Sequence, residues 1–224
     1  STRKESSAAS DVYKRQGYLQ QGLTEQAKAP LGKALALNDQ DVDAHAALAV
    51  VFQAEGEPAL AEAHFRKALL ISRGDTRIRN NYGSFLYAQG RFAEAKQMFR
   101  QASADTLYPE RSRVYENLGL TVLKLERRDQ AHAYLLKALQ LNPRQPKALL
   151  EMAELSYENR HYVPARDYYD RFSQLSDHDA RSLLLGSRLA KVFDEQGALA
   201  ELGQQLQRLY PGTPEYQQYL SEQR

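Results

Sequence analysis

Ser187 and five histidines are the residues of this chain whose chemistry could be catalytic. Ser187 follows Gly186, but "LLLGSRLA" lacks the flanking glycines that bend a nucleophile elbow. The histidines stand at 45, 64, 132, 161 and 178, and no two have the spacing that puts both on one helical face as metal ligands. No glycine-rich phosphate loop and no HExxH motif occurs. Cys is absent, which excludes thiol nucleophiles, disulfides and Cys-based zinc sites. Fourteen Tyr could stack on a ligand, yet Tyr82, Tyr115, Tyr168 and Tyr169 fall where neighbouring helices would pack. The expectation is a protein without catalytic residues, metal or cofactor, which can act only by binding.

The elements that carry such a surface follow from the punctuation of the chain. Only twelve Gly and eight Pro interrupt it, and the stretches between them place apolar residues at helical spacing, with no alternation of the β type. The fold class is therefore all-α. A net charge of +2 leaves no excess for a polyanion, so nucleic acid is not an expected partner. No apolar run reaches the ~18 residues a membrane-spanning helix requires.

Self-similarity decides the architecture. Ala95 is followed by Phe99 and Ala102 and preceded by Gly83. The set recurs as Ala49, Ala61, Phe65, Ala68, as Gly119, Ala131, Leu135, Ala138, and as Ala153, Ala165, Tyr169, Phe172. At the front it reads Ala27, Leu31, Ala34, and near the end, more weakly, Ala190, Leu202, Leu206, Leu209. The anchors at 27, 61, 95, 131, 165 and 202 are spaced by 34, 34, 36, 34 and 37 residues. A period of about 34 with this pattern resembles the tetratricopeptide (TPR) repeat, in which two helices and a turn form one unit. "YENLGLTVLKLERRDQAHAYLLKALQLNP", residues 115–143, follows that pattern almost throughout, although His45 and Tyr115 replace the first aromatic Trp.

The resemblance implies a right-handed superhelix of six TPR hairpins stabilised by stacking neighbours. Gly83 and Ala95 are expected to face each other where the two helices of a hairpin cross, with Phe99 filling the space beside them. Gly74, in a turn, is expected to accept a large side chain at little cost. The last helix is expected from about Ala198 to Leu209, stopped by "YPGTPEYQQYL".

First helices of TPR hairpins line the concave face. Relative to Gly83 that stripe is Arg77, Asn80, Ser84 and Tyr87. Its equivalents are Ala46, Val50 and Gln53; Arg113, Glu116, Leu120 and Leu123; and Lys147, Leu150, Glu154 and Tyr157. The first repeat adds Leu19 and Gln20. The expected partner-binding groove is thus Leu19, Val50, Gln53, Arg77, Asn80, Tyr87, Arg113, Leu120, Lys147 and Tyr157, apolar at its N-terminal end and mixed further on. The plain alternative is that these are solvated helix positions with no ligand. Arg77, Asn81, Arg113 and Asn117 are similar in spacing to the carboxylate clamp of chaperone-binding TPR domains. Ala46 and Val50 stand where that clamp needs Lys and Asn, so it is not expected here.

The front end departs from the pattern. Residues 14–16, Lys-Arg-Gln, put charge where a first helix needs apolar contacts, whereas from Gly17 the repeat is regular. "SSAASDVYKRQ" resembles adaptor-derived sequence at the ends of translated library reads. Residues 1–16 are expected to be non-native or disordered, the alternative being a divergent first helix, and 17–224 to form the TPR domain.

Longer stretches go beyond the repeat. "DAHAALAVVFQ", "NNYGSFLY", "TLYPERSRVYENLGL", "YVPARDYYDRF", "ARSLLLGSRLAKVF" and "LQRLYPGTPEYQQY" together resemble the PilF/PilW family, the pilotin lipoproteins of bacterial type IV pili. That resemblance covers residues 17–224. It implies a lipid anchor at the periplasmic face of the outer membrane, secretin subunits as partners in localisation and multimerisation, and a monomer that meets the membrane through its anchor alone. The family's lipidated Cys is missing, because the chain has none; a native start upstream of residue 1 would account for that. The other reading is a periplasmic or cytosolic TPR adaptor serving a chaperone or secretion complex.

Overall fold

The structure, a computed structural model, describes residues 23–224. Leu19, Gln20 and the expected non-native segment 1–16 lie outside the described residues. Twelve α-helices and no strand occur among the described residues. The chain divides into two compact units at Tyr108–Pro109.

The first unit contains α1 (Thr24–Leu37), α2 (Val42–Ala54), α3 (Pro58–Ser72), α4 (Thr76–Ala88) and α5 (Phe92–Ser103). Helices α2/α3 and α4/α5 form antiparallel hairpins; α1 packs on α2, and α3 on α4. The second unit contains α6 (Arg111–Lys124), α7 (Arg128–Leu141), α8 (Pro146–Glu158), α9 (Tyr162–Leu175), α10 (Ala180–Val192), α11 (Gln196–Leu209) and α12 (Pro214–Glu222). Its hairpins are α6/α7, α8/α9 and α10/α11, and α12 covers α10 and α11.

Helix starts are set by local chemistry. Asp41, Asp75 and Asp179 accept hydrogen bonds from the backbone of Ala44, Ile78 and Ser182 at 3.0, 3.1 and 2.9 Å. Such side chains satisfy donors that the first turn leaves free. Pro58, Pro146 and Pro214 open α3, α8 and α12, where a missing N–H costs nothing.

Every hairpin turn among the described residues uses one left-handed residue: Gly56, Gly90, Glu126, Arg160 and Asp194, with φ between 54° and 75°. In each turn the next N–H bonds back five residues, as from Arg91 to Leu86 at 2.9 Å and from Arg127 to Val122 at 2.8 Å. This closes the helix and reverses the chain. In three of the five turns a residue with a side chain accepts a conformation that favours glycine.

The close approach of the hairpin helices comes from small residues, but the pairing differs from expectation. A Cβ on Gly83 would lie 2.6 Å from the Phe99 ring, so the glycine faces Phe99. Gly119 likewise faces Leu135, whose Cγ would be 2.5 Å away. The bulky residue four after the anchor therefore lies over the glycine, and the alanine anchors Ala61, Ala95, Ala131 and Ala165 are fully buried beside it. Gly74 is not the tolerant position expected. Its φ is +88° and a Cβ there would collide with the Arg79 guanidinium.

The C-terminal reading also needs correction. "TPEYQQYLSE" does not merely stop α11; Thr213 caps a further helix, its hydroxyl accepting from Tyr216 N at 3.3 Å. Tyr219 of that helix lies against Gly203 of α11. Ion pairs run from the second helix of one repeat to the turn of the next: Lys28–Glu55, Arg91–Glu62, Arg128–Glu158 and Arg166–Glu195. They mark register more than stability, since pairs this exposed contribute about 0–1 kcal/mol each.

Candidate protein-binding surface

The expected groove residues meet different fates in the fold. On α2, Val50 is 37% exposed and Gln53 is half-buried, while Ala46 is buried against Ala68 and Ile78. On α4, Arg77 is exposed and pairs with Asp43 at 2.6 Å, and half-buried Tyr87 meets Phe92 edge-on. Asn80 is only 6% exposed, so it belongs to the helix packing and offers no side chain to a partner. The expectation for Asn80 is corrected on that ground.

In the second unit, Arg113 and Lys147 are exposed, Leu120 and Tyr157 half-buried, and Glu116 and Leu150 buried. Arg113 and Lys147 line one cavity of about 570 Å3, together with Pro109, Glu110, Arg144 and Pro146. Glu116 forms its wall: 8% exposed, it accepts from the Ala148 backbone N–H of α8 at 3.2 Å. Burial raises the Glu116 pKa, and that N–H, Lys147 and Arg113 oppose the shift. Tyr157 is elsewhere, in a smaller cavity of about 260 Å3 with Arg188 and Lys191. Burial also raises the pKa of its phenol.

Glu154, expected on the open stripe, is instead held with Glu151 by Arg181; the Arg181–Glu151 contact is 2.8 Å. Hydrogen bonding to Glu151 raises the Arg181 pKa, so the guanidinium stays charged. Nothing in this surface resembles an acid–base or nucleophile–base pair. Among the described residues no group of three or more potential metal ligands comes together, and no helix is long and apolar enough to cross a membrane.

One pairing was invisible in the sequence. His45 on α2 and His64 on α3 stack, with their Nδ1 atoms 3.0 Å apart. His45 Nε2 is 2.8 Å from the Asp39 carbonyl and must donate to it, so His45 Nδ1 accepts and His64 donates. Burial lowers the His64 pKa, with His45 and Lys67 adding to the effect. The unfolded chain therefore takes up a proton on His64 at higher pH than the native one, and stability falls as pH drops below about 6.5. His178 is lowered by burial as well and acts in the same direction. Thermal midpoints measured from pH 7 down to pH 5 should fall, and fall less steeply in His64→Gln. Parallel curves for the two proteins would exclude His64 as the cause.

Comparison with known proteins agrees with this architecture. Tetratricopeptide-repeat family models match residues 75–144, and residues 16–76 and 117–180. The type IV pilus assembly protein PilF of Pseudomonas aeruginosa is 57% identical over 206 residues, 92% of this chain and 82% of that protein. A solved structure described as a functional characterisation of Pseudomonas aeruginosa PilF superposes with a TM-score of 0.94 at 55% identity, covering 99% of this chain and all of the other. The crystal structure of PilW, described as a widely conserved type IV pilus biogenesis factor, gives 0.79 at 30% identity over 94% of this chain and 96% of its own. Helical hairpins at the TPR period, packed through glycine against a bulky residue, and this degree of identity place the chain in the PilF family of tetratricopeptide-repeat type IV pilus assembly proteins.

Proposed function

We propose that the chain acts as a pilotin: a non-catalytic TPR scaffold that binds the outer-membrane secretin of the type IV pilus and promotes its localisation and multimerisation. The observation that carries this reading is the 57% identity to PilF across 92% of the chain. A pilus protein of helical hairpins with no catalytic constellation among its described residues has binding as its means of action. Residues 17–224 supply the scaffold, and an N-terminal lipid anchor holds it at the periplasmic face of the outer membrane. The anchor serves as the address, because secretin subunits must reach that membrane before they form rings.

The contact proposed for the secretin is the apolar N-terminal end of the groove, around Leu19, Val50 and Gln53. Val50 is an exposed apolar side chain on a first helix, and desolvated apolar anchors dominate interface energies. Introducing a charge with Val50→Glu should weaken association by more than about 2 kcal/mol while the fold persists. The assay is complementation of a pilotin-deficient strain with the domain fused to a lipoprotein signal, read as SDS-resistant secretin multimers. Wild type should restore them and Val50→Glu should not. Equal restoration by both refutes the groove assignment, and failure of an expressed, lipidated wild type refutes the pilotin reading.

A further inference from the structure

The geometry points to a second binding site, in the cavity between the starts of α6 and α8: a pocket for an acidic peptide segment of a partner protein. The proposal rests on the reading of the chain as a protein-binding scaffold, and its residues lie in the second unit, whereas Val50 lies in the first.

Arg113, Arg144 and Lys147 converge on this cavity, and all three are exposed. None forms an ion pair among the described residues, whereas Arg128, Arg166, Arg181 and Arg188 of the same unit each hold a carboxylate. Cations gathered in one concavity concentrate a positive potential that a partner's carboxylates can satisfy. Glu116 does not fill that role. It is buried and hydrogen-bonded to the Ala148 N–H of α8, so it shapes the wall and acts on Arg113 and Lys147 through its charge alone, without an ion pair to either.

Three features favour a peptide over a bare oxyanion. The volume, about 570 Å3, is that of a pocket for a sizeable organic ligand and far exceeds a single phosphate or sulfate. Glu110 and Glu116 also line it, which penalises a compact dianion more than singly charged carboxylates spaced along a chain. The proline rings at the rim offer apolar contact to the stems of Glu or Asp side chains. Arg113 belongs to the clamp-like set named above, but Arg144, on the loop between α7 and α8, has no counterpart in that set.

Fluorescence anisotropy with a labelled Glu-rich peptide, and with its Gln isostere, tests the site. The Glu peptide should bind saturably, more weakly as salt rises, and the Gln peptide should not. Arg113→Gln/Lys147→Gln should weaken binding by about tenfold or more, and Arg208→Gln, on exposed α11, should leave it unchanged. Arg144→Gln alone should weaken it as well, and a thermal midpoint near wild type confirms that each variant is folded. Equal binding of the Gln peptide, or full binding by the folded double variant, overturns the proposal. So does tighter binding of inorganic phosphate or phosphatidylglycerol vesicles than of the peptide. Secretin capture separates this site from the pilotin reading. A chain that binds the Glu peptide but no secretin keeps the pocket and loses the pilotin role; a chain that captures secretin but not the peptide loses only the pocket.

Discussion

Gly119→Leu should lower the urea midpoint of the second unit by more than any exposed substitution in it. Gly119 sits on α6 with Leu135 of α7 directly across, and a bare Cβ would already come within 2.5 Å of the Leu135 side chain and 3.4 Å of its backbone N. Leu135 is fully buried in a cluster with Val122, Ala131, Leu139 and Ala153, so it cannot swing out into solvent to make room. A close-packed interior answers an added side chain by rotamer strain or by separating the helices. Overpacking of this kind costs about 1–3 kcal/mol, and four added carbons at a helix crossing belong at the upper end. The control is Gly197→Leu in the first turn of α11, where nothing lies within 4 Å of the added Cβ. Leu is a better helix former than Gly by up to about 1 kcal/mol, so that variant should be neutral or slightly more stable. Equal midpoints for the two would contradict the hairpin packing described here.

Phe99→Ala is expected to be the more damaging change, by about 3–5 kcal/mol. Phe99 is 1% exposed, on α5, and its ring lies over Gly83 of α4. Truncation removes the transfer energy of the ring and leaves a cavity floored by a residue that has no side chain to fill it. The pair can be dissected. Gly83→Ala alone should destabilise despite its better helix propensity, because the new methyl would lie 2.6–2.9 Å from three ring atoms. In a Phe99→Leu background the smaller side chain can yield, and the cost of Gly83→Ala should shrink. A coupling energy of about 0.5–3 kcal/mol is expected from the double-mutant cycle. A coupling of zero would mean that the ring does not rest on the glycine.

Much of this molecule was legible in the residues because a TPR hairpin depends on short-range pattern. The period of the anchors located five complete hairpins and the second helix of a sixth among the described residues, and the five Ala anchors are buried as the pattern demands, whereas Leu202 of the weaker last copy is only half-buried. Turn positions were legible only where Gly56 and Gly90 marked them. At Glu126, Arg160 and Asp194 the same left-handed geometry is imposed by the packing of the flanking helices, and no residue type announced it. Helix α12 was missed because Pro and Gly read as a stop, although Thr213-Pro214 is also a helix start.

The surface divides along the same line. Periodicity placed Val50, Arg77, Arg113 and Lys147 on exposed faces of first helices, since the side of a helix on which a residue falls is set by its rise and turn. It could not reveal that Asn80 is buried, that Arg181 takes up Glu151 and Glu154, or that His45 and His64 meet. Nor could it show that Arg113 and Lys147 share a cavity with Arg144. Sequence alone determined the all-α class, the repeat period and the family resemblance, because each is carried by residues within one hairpin length. Which side chains converge, and which charges are left without a partner, was decided by tertiary structure: those contacts join residues about 19 to 34 positions apart, whose distance depends on how one helix packs against another.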